Sequence, residues 1–114
     1  MKIQRAEVGS VSVLRPVCDL DESALDDLRA ALFDCISEGR YCIVMNLSEV
    51  RYMSFMSLGV LVERLRRVRE SHGDIKLVGL NLYGERMLRM AGVGNLFETF
   101  DSEARAIGMF HEAA

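Results

Sequence analysis

The chain has 114 residues, 50% of them hydrophobic and 27% charged, with one Pro and no Trp. That composition suits a single globular domain with its own core. The formal net charge of −3 argues against nucleic acid as the main partner, because phosphate backbones are held by cationic surfaces.

The opening Met1-Lys2-Ile3-Gln4-Arg5 has no signal-type apolar segment, and no apolar run approaches the roughly 20 residues that span a bilayer. A cytoplasmic protein with no direct membrane insertion is therefore expected. Cys18, Cys35 and Cys42 are widely spaced and lie within apolar patterns, which predicts three buried thiols in a reducing compartment.

Residues 3–8 and 11–17 read as strands joined by Gly9-Ser10, a pair suited to a tight hairpin turn. Pro16 cannot donate to a ladder, so the second strand should lie near an edge or end there. The acidic stretch Cys18-Asp19-Leu20-Asp21-Glu22-Ser23 follows, with Asp21 or Ser23 as candidate helix cap. Leu25, Leu28, Leu32, Cys35 and Ile36 recur at three- and four-residue steps and predict a helix, which Gly39 stops.

Tyr41-Cys42-Ile43-Val44-Met45 is an apolar run too short for a helix and reads as a strand covered on both faces, continuing to Leu47. The stretch Tyr52-Met53-Ser54-Phe55-Met56-Ser57-Leu58-Gly59 then opens a helix running to about Ser71. Leu58, Leu61, Val62, Leu65 and Val68 are expected inward. Glu63, Arg64, Arg66, Arg67, Arg69 and Glu70 are expected outward, as a solvated face. Ile75-Lys76-Leu77-Val78-Gly79-Leu80 is a second covered strand, and strand–helix–strand over this length implies a parallel pair.

A short helix over 82–91 should bury Tyr83, Met87, Met90 and Ala91 and close at Gly92. Gly92-Val93-Gly94 follows a helix instead of opening one, so it is no dinucleotide fingerprint. Residues 96–100 suggest a last short strand. Asp101 is the expected cap of a terminal helix that turns Ala104, Ile107 and Phe110 toward the body. The expected whole is one α/β domain over 1–114, a mixed sheet of four to five strands packed against about four helices. Ile43, Val44, Leu61, Leu65, Leu77 and Val78 are expected in its core.

Site chemistry is sparse. His72 and His111 are isolated, no Cys or His pair has metal-ligand spacing, and no Gly-rich loop carries a P-loop Lys. Ser54 and Ser57 lack a neighbouring base in sequence. No catalytic residue, metal or cofactor is expected. The start of the central helix is instead a natural docking surface. Its first N–H groups lack intrahelical partners, the helix dipole favours anions there, and Phe55 and Met56 read as exposed apolar side chains beside two hydroxyls.

The element order resembles that of the STAS domain family, the anti-sigma-factor antagonists of partner-switching systems and their relatives in sulfate transporters and stressosomes. Val17-Cys18-Asp19-Leu20-Asp21 looks like the family's segment before the first helix, with Cys18 at its Gly. Ile43-Val44-Met45-Asn46-Leu47-Ser48 is similar to its strand ending in Asp-Leu-Ser, with Asn46 for the Asp. Leu77-Val78-Gly79-Leu80, Met90-Ala91-Gly92-Val93 and Leu96-Phe97 match its closing pattern. The departure is at the centre. Where typical antagonists carry Asp-Ser-Ser-Gly-Leu-Gly, this chain has Ser54-Phe55-Met56-Ser57-Leu58-Gly59, so the usual phosphoacceptor position is Met56.

The resemblance implies a non-enzymatic regulator that binds an anti-sigma factor or a serine kinase of the histidine-kinase-like ATPase class. Asp21, Ser54, Phe55, Met56, Ser57 and Leu58 would form its partner-binding surface, and Ser57 and Ser54 are the remaining phosphorylation candidates. Ser54 is also the expected helix cap, and Ser57 is expected to pack inward. A homodimer is compatible with this class. Two alternatives stay open: a STAS subunit or scaffold of a transport or stressosome-like assembly, and a small-ligand or nucleotide-binding module using Asp21 and the helix start.

Overall fold

The computed structural model describes residues 2–113, with side chains through residue 110; Met1, Ala114 and the His111 side chain lie outside the described residues. Five strands form one sheet in the order β1-β2-β3-β4-β5. They are β1 (Ile3–Val8), β2 (Val11–Pro16), β3 (Cys42–Asn46), β4 (Asp74–Val78) and β5 (Thr99–Phe100). β1 and β2 are antiparallel, and each later strand adds in parallel to the one before it. The four helices are α1 (Leu25–Ser37), α2 (Phe55–Glu70), α3 (Leu82–Met90) and α4 (Glu103–Ala113), and a 3-10 turn over Glu22–Ala24 precedes α1.

The hairpin forms where the sequence places it, with Gly9 at φ 60 supplying the left-handed turn conformation. β2 has partners on both sides and lies next to the edge strand β1; β5 is the other edge. Pro16 is tolerated because it is the last residue of β2 and its pairing with β3 stops at Leu14.

Alternation along the strands divides the core in two. Leu14, Ile43, Met45, Ile75 and Leu77 meet α1, α2 and α3 in the larger cluster. Val11, Val13, Val44 and Val78 point the other way, where Ala106 of α4 covers them. All six core residues named from the sequence are buried, and β3 is covered on both faces as its continuous apolar run implied.

Four expectations need correction. In α3 the buried residues are Gly84, Met87 and Leu88, whereas Tyr83, Met90 and Ala91 are exposed. α3 starts at Leu82 as expected, capped by the Asn81 side chain, which accepts the Gly84 N–H; it is the buried face that differs from the apolar pattern. In α4, Ser102 caps instead of Asp101, its hydroxyl accepting the Arg105 N–H. Ala106 is therefore inward and Ala104 exposed, while Ile107 and Phe110 do pack on the core. Of the three thiols only Cys35 is fully buried; Cys18 and Cys42 are half-buried. Finally, β3 begins at Cys42 and ends at Asn46, so Tyr41 and Leu47 flank it.

A candidate partner-docking site at the start of α2

The loop before α2 is held by the loop before α1. The Asp19 carboxylate accepts the N–H groups of Arg51 and Tyr52 at 3.0 and 3.2 Å. Leu20 donates its N–H to the Tyr52 carbonyl and accepts the Ser54 N–H, both at 2.9 Å. Leu20 and Met53 form the bridge between the loops, and both side chains are buried. This stitch fixes where α2 begins. Sequence reasoning did not single out Asp19, because an acidic residue ahead of a helix reads as a cap, and Asp19 lies two residues before the one that caps.

That cap is Asp21. Its carboxylate accepts both the N–H and the hydroxyl of Ser23, at 3.0 and 2.7 Å. The Ser23 hydrogen bond holds the Asp21 carboxyl below its ordinary range, so a half-exposed anion sits beside the α2 start.

α2 starts where Ser54 takes extended backbone geometry and its hydroxyl accepts the Ser57 N–H at 3.1 Å. This satisfies one of the otherwise orphaned N–H groups. The Ser54 and Ser57 hydroxyls also meet at 3.1 Å, and both residues are buried, as is Leu58. With those three turned inward, the two intervening side chains project outward: Phe55 is 60% and Met56 55% exposed. Of the six residues anticipated as a site, five share the start of α2 in two layers, and Asp21 lies in the neighbouring loop, next to Leu20, which accepts the Ser54 N–H. Phe55 and Met56 face solvent, and Ser54, Ser57 and Leu58 support them from beneath.

Two further features adjoin this layer. Tyr52 and Tyr83 pair with ring centroids 5.9 Å apart, tying the loop to α3. Phe55, Leu58, Gly59, Val62, Ala91 and Val93 line a groove between α2 and the end of α3. Of these, Ala91 was expected inward, and its exposure is what opens the groove on the α3 side. Exposed apolar side chains grouped around a groove mark interaction surfaces.

The site has little chemistry of its own. Neither serine hydroxyl has a His, Lys or carboxylate among its hydrogen-bond partners in the described residues. Among those residues no three potential ligands gather around a metal-sized space, and no helix is long and apolar enough to cross a membrane.

Asn46, at the position where an Asp was expected, accepts the N–H and hydroxyl of Ser48 through its oxygen at 3.0 and 2.6 Å. Its amide nitrogen donates to Glu103 at 2.6 Å. An amide can do both; a carboxylate there would face the Glu103 carboxylate and repel it.

The family model for the STAS domain matches residues 2–106. An anti-sigma F factor antagonist from Paenibacillus polymyxa is 25% identical over 109 residues, covering 94% of this chain and 92% of that protein. A crystal structure of a candidate anti-sigma factor antagonist from Thermotoga maritima superposes with a TM-score of 0.87 at 26% identity, covering 94% of this chain and 92% of the other. The unphosphorylated form of the anti-sigma factor antagonist SpoIIAA, a Bacillus cell-fate determinant, gives a TM-score of 0.84 at 21% identity over 96% of each chain.

Proposed function

Because the chain belongs to the STAS domain family, we propose that it acts as an anti-sigma-factor antagonist that is permanently competent to bind. Its partner is an anti-sigma factor or serine kinase of the histidine-kinase-like ATPase class. The surface it offers is the start of α2, with Asp21, Phe55 and Met56 in contact and Ser54, Ser57 and Leu58 holding them in place.

The observation that carries this reading is the pair of large apolar side chains, Phe55 and Met56, exposed at a helix start whose hydroxyls face inward. A partner that covers them removes apolar surface from water and gains about 25 cal/mol per Å². The Paenibacillus polymyxa relative, an anti-sigma F factor antagonist, supports an anti-sigma factor as the class of partner.

The switch differs from the family's usual one. A phosphate at the position of Met56 would bring about −1.5 to −2 charges to a surface that must be desolvated on binding. Methionine cannot accept it, and its flexible thioether gives an adaptable contact instead. Ser54 is buried as the helix cap and Ser57 is fully buried, so a serine kinase has no free serine hydroxyl to reach at the start of α2. Control then rests with the amount of the protein or with its partner.

The test is a titration with a purified anti-sigma-factor kinase encoded in the same genome, followed by incubation with ATP. Binding without phosphate transfer is expected for the wild type, and Met56→Ser should take up one phosphate. Failure of the wild type to bind any such kinase, or phosphate on Ser54 or Ser57, would overturn the reading.

A further inference from the structure

The groove between α2 and α3 has a charge pattern that the docking site alone does not explain. Its floor is poor in side chains: Gly59 and Ala91 face it, and a Cβ built on Gly59 would meet nothing within 4 Å. Phe55 also lines it, and Ala91 and Val93 form the wall at the end of α3. Glu63 and Arg66 also line the groove, and Glu63 is taken by an ion pair with Arg64. Arg66 has no carboxylate within ion-pair distance among the described residues, and neither has Arg89. These two cations line one adjoining depression together with residues 92–96. In a chain of net charge −3, two unpaired guanidiniums beside an apolar channel are a local reversal of sign.

We infer that this groove receives an acidic segment of the partner protein, which inserts an apolar side chain over Gly59 and sets carboxylates against Arg66 and Arg89. The inference rests on the proposed function, since the groove continues the α2 start through Phe55 and Leu58. It adds the chemistry of the contact. Guanidinium groups favour planar, bidentate pairing with carboxylates, and the glycine gap lets a partner side chain approach the α2 backbone. Long-range attraction of this kind speeds association and weakens with salt.

The test uses the same kinase titration, at low and high ionic strength, with four variants. Arg66→Glu/Arg89→Glu should weaken binding by about tenfold or more at low salt, and Arg66→Gln/Arg89→Gln should flatten the salt dependence. Gly59→Leu should fill the floor and weaken binding while the melting temperature holds or rises, because a helix-interior glycine with open space beside it gains from a side chain. Met56→Asp is the control for the docking site. If Met56→Asp weakens binding and the arginine and glycine variants do not, the groove inference fails and the proposed function stands. If the wild type binds no kinase, both fall. A wild-type dimer that the double arginine variant dissolves would identify a second copy of this chain as the occupant and overturn the acidic segment.

Discussion

Ser54 and Ser57 are bonded to each other twice, backbone N–H to hydroxyl and hydroxyl to hydroxyl, each at 3.1 Å. The pair turns inward as a unit, and that places Phe55 and Met56 outside. Local capping chemistry therefore sets what the surface presents.

Ser54→Ala removes the cap and leaves the buried Ser57 hydroxyl and N–H short of a partner. A lost cap costs about 0.5–2 kcal/mol, and a buried unsatisfied group about 1–3 kcal/mol. The expected loss in urea unfolding is about 2 kcal/mol, with an unchanged m-value. Ser54→Asp keeps an acceptor for the N–H and should lose less. Equal losses for the two variants would show that the cap contributes little.

Lys76 is a buried charge on the face of β4 covered by α4. It pairs with Asp74 at 3.1 Å and with Glu98, and lies 4.6 Å from the Phe110 ring centroid. Burial lowers its pKa, but the hydrogen bonds it donates to Glu98 and Asp74, with their negative charges, outweigh that and raise it, so it stays cationic. Lys76→Ala should cost about 2–5 kcal/mol, chiefly because it opens a cavity beneath α4; Asp74 keeps its pair with Arg69, and Glu98 is exposed to water. Lys76→Met, which keeps the volume, should cost less. A Lys76→Ala variant within 1 kcal/mol of wild type (roughly the scatter of a surface change) would mean that water replaces the ammonium at no cost.

Glu103 joins α4 to the sheet, accepting from Arg15 at 2.7 and 2.9 Å and from Asn46 at 2.6 Å. The Arg15 hydrogen bonds hold its carboxyl below the ordinary value against the opposing effect of burial, and the Asn46 amide adds to the lowering. A carboxyl whose folded pKa is depressed contributes stability above its unfolded pKa and loses it as pH falls through the folded value. Acid unfolding should therefore steepen below the ordinary glutamate range, and Glu103→Gln should flatten that part of the curve. Arg15 is more than a third exposed, so the effect at neutral pH should be about 1 kcal/mol at most. An unchanged acid limb would assign the pH dependence to other carboxylates.

The sheet and α2 were legible because their signals are periodic: the continuous apolar run of β3, the three- and four-residue spacing from Leu58 to Val68, and the turn chemistry of Gly9. The phases of α3 and α4 were not: Tyr83 and Met90 are apolar yet lie outward on α3, and in α4 Asp101 competed with Ser102 as the cap. At the site, Ser54 as cap and Ser57 as inward residue followed from helix geometry. The Asp19 tether did not, because it joins residues more than 30 positions apart in the chain, and a single sequence contains no register for loops. Asn46 looked like a departure from the family until Glu103, 57 positions away, supplied the reason for an amide.

Met56 supports the sharpest prediction. At 55% exposure, Met56→Asp places an anion in the first turn of α2, where the dipole stabilises it by about 0.3–1 kcal/mol. The melting temperature should barely move. In the complex the same charge must be desolvated against the partner, at a cost of several kcal/mol if unpaired. Each 1.4 kcal/mol is about tenfold in affinity, so binding should fall about a hundredfold or more. Met56→Ala removes only apolar contact and should weaken binding much less. Calorimetric titration of the kinase against both variants checks the asymmetry. Wild-type affinity in Met56→Asp would place the interface elsewhere on the molecule.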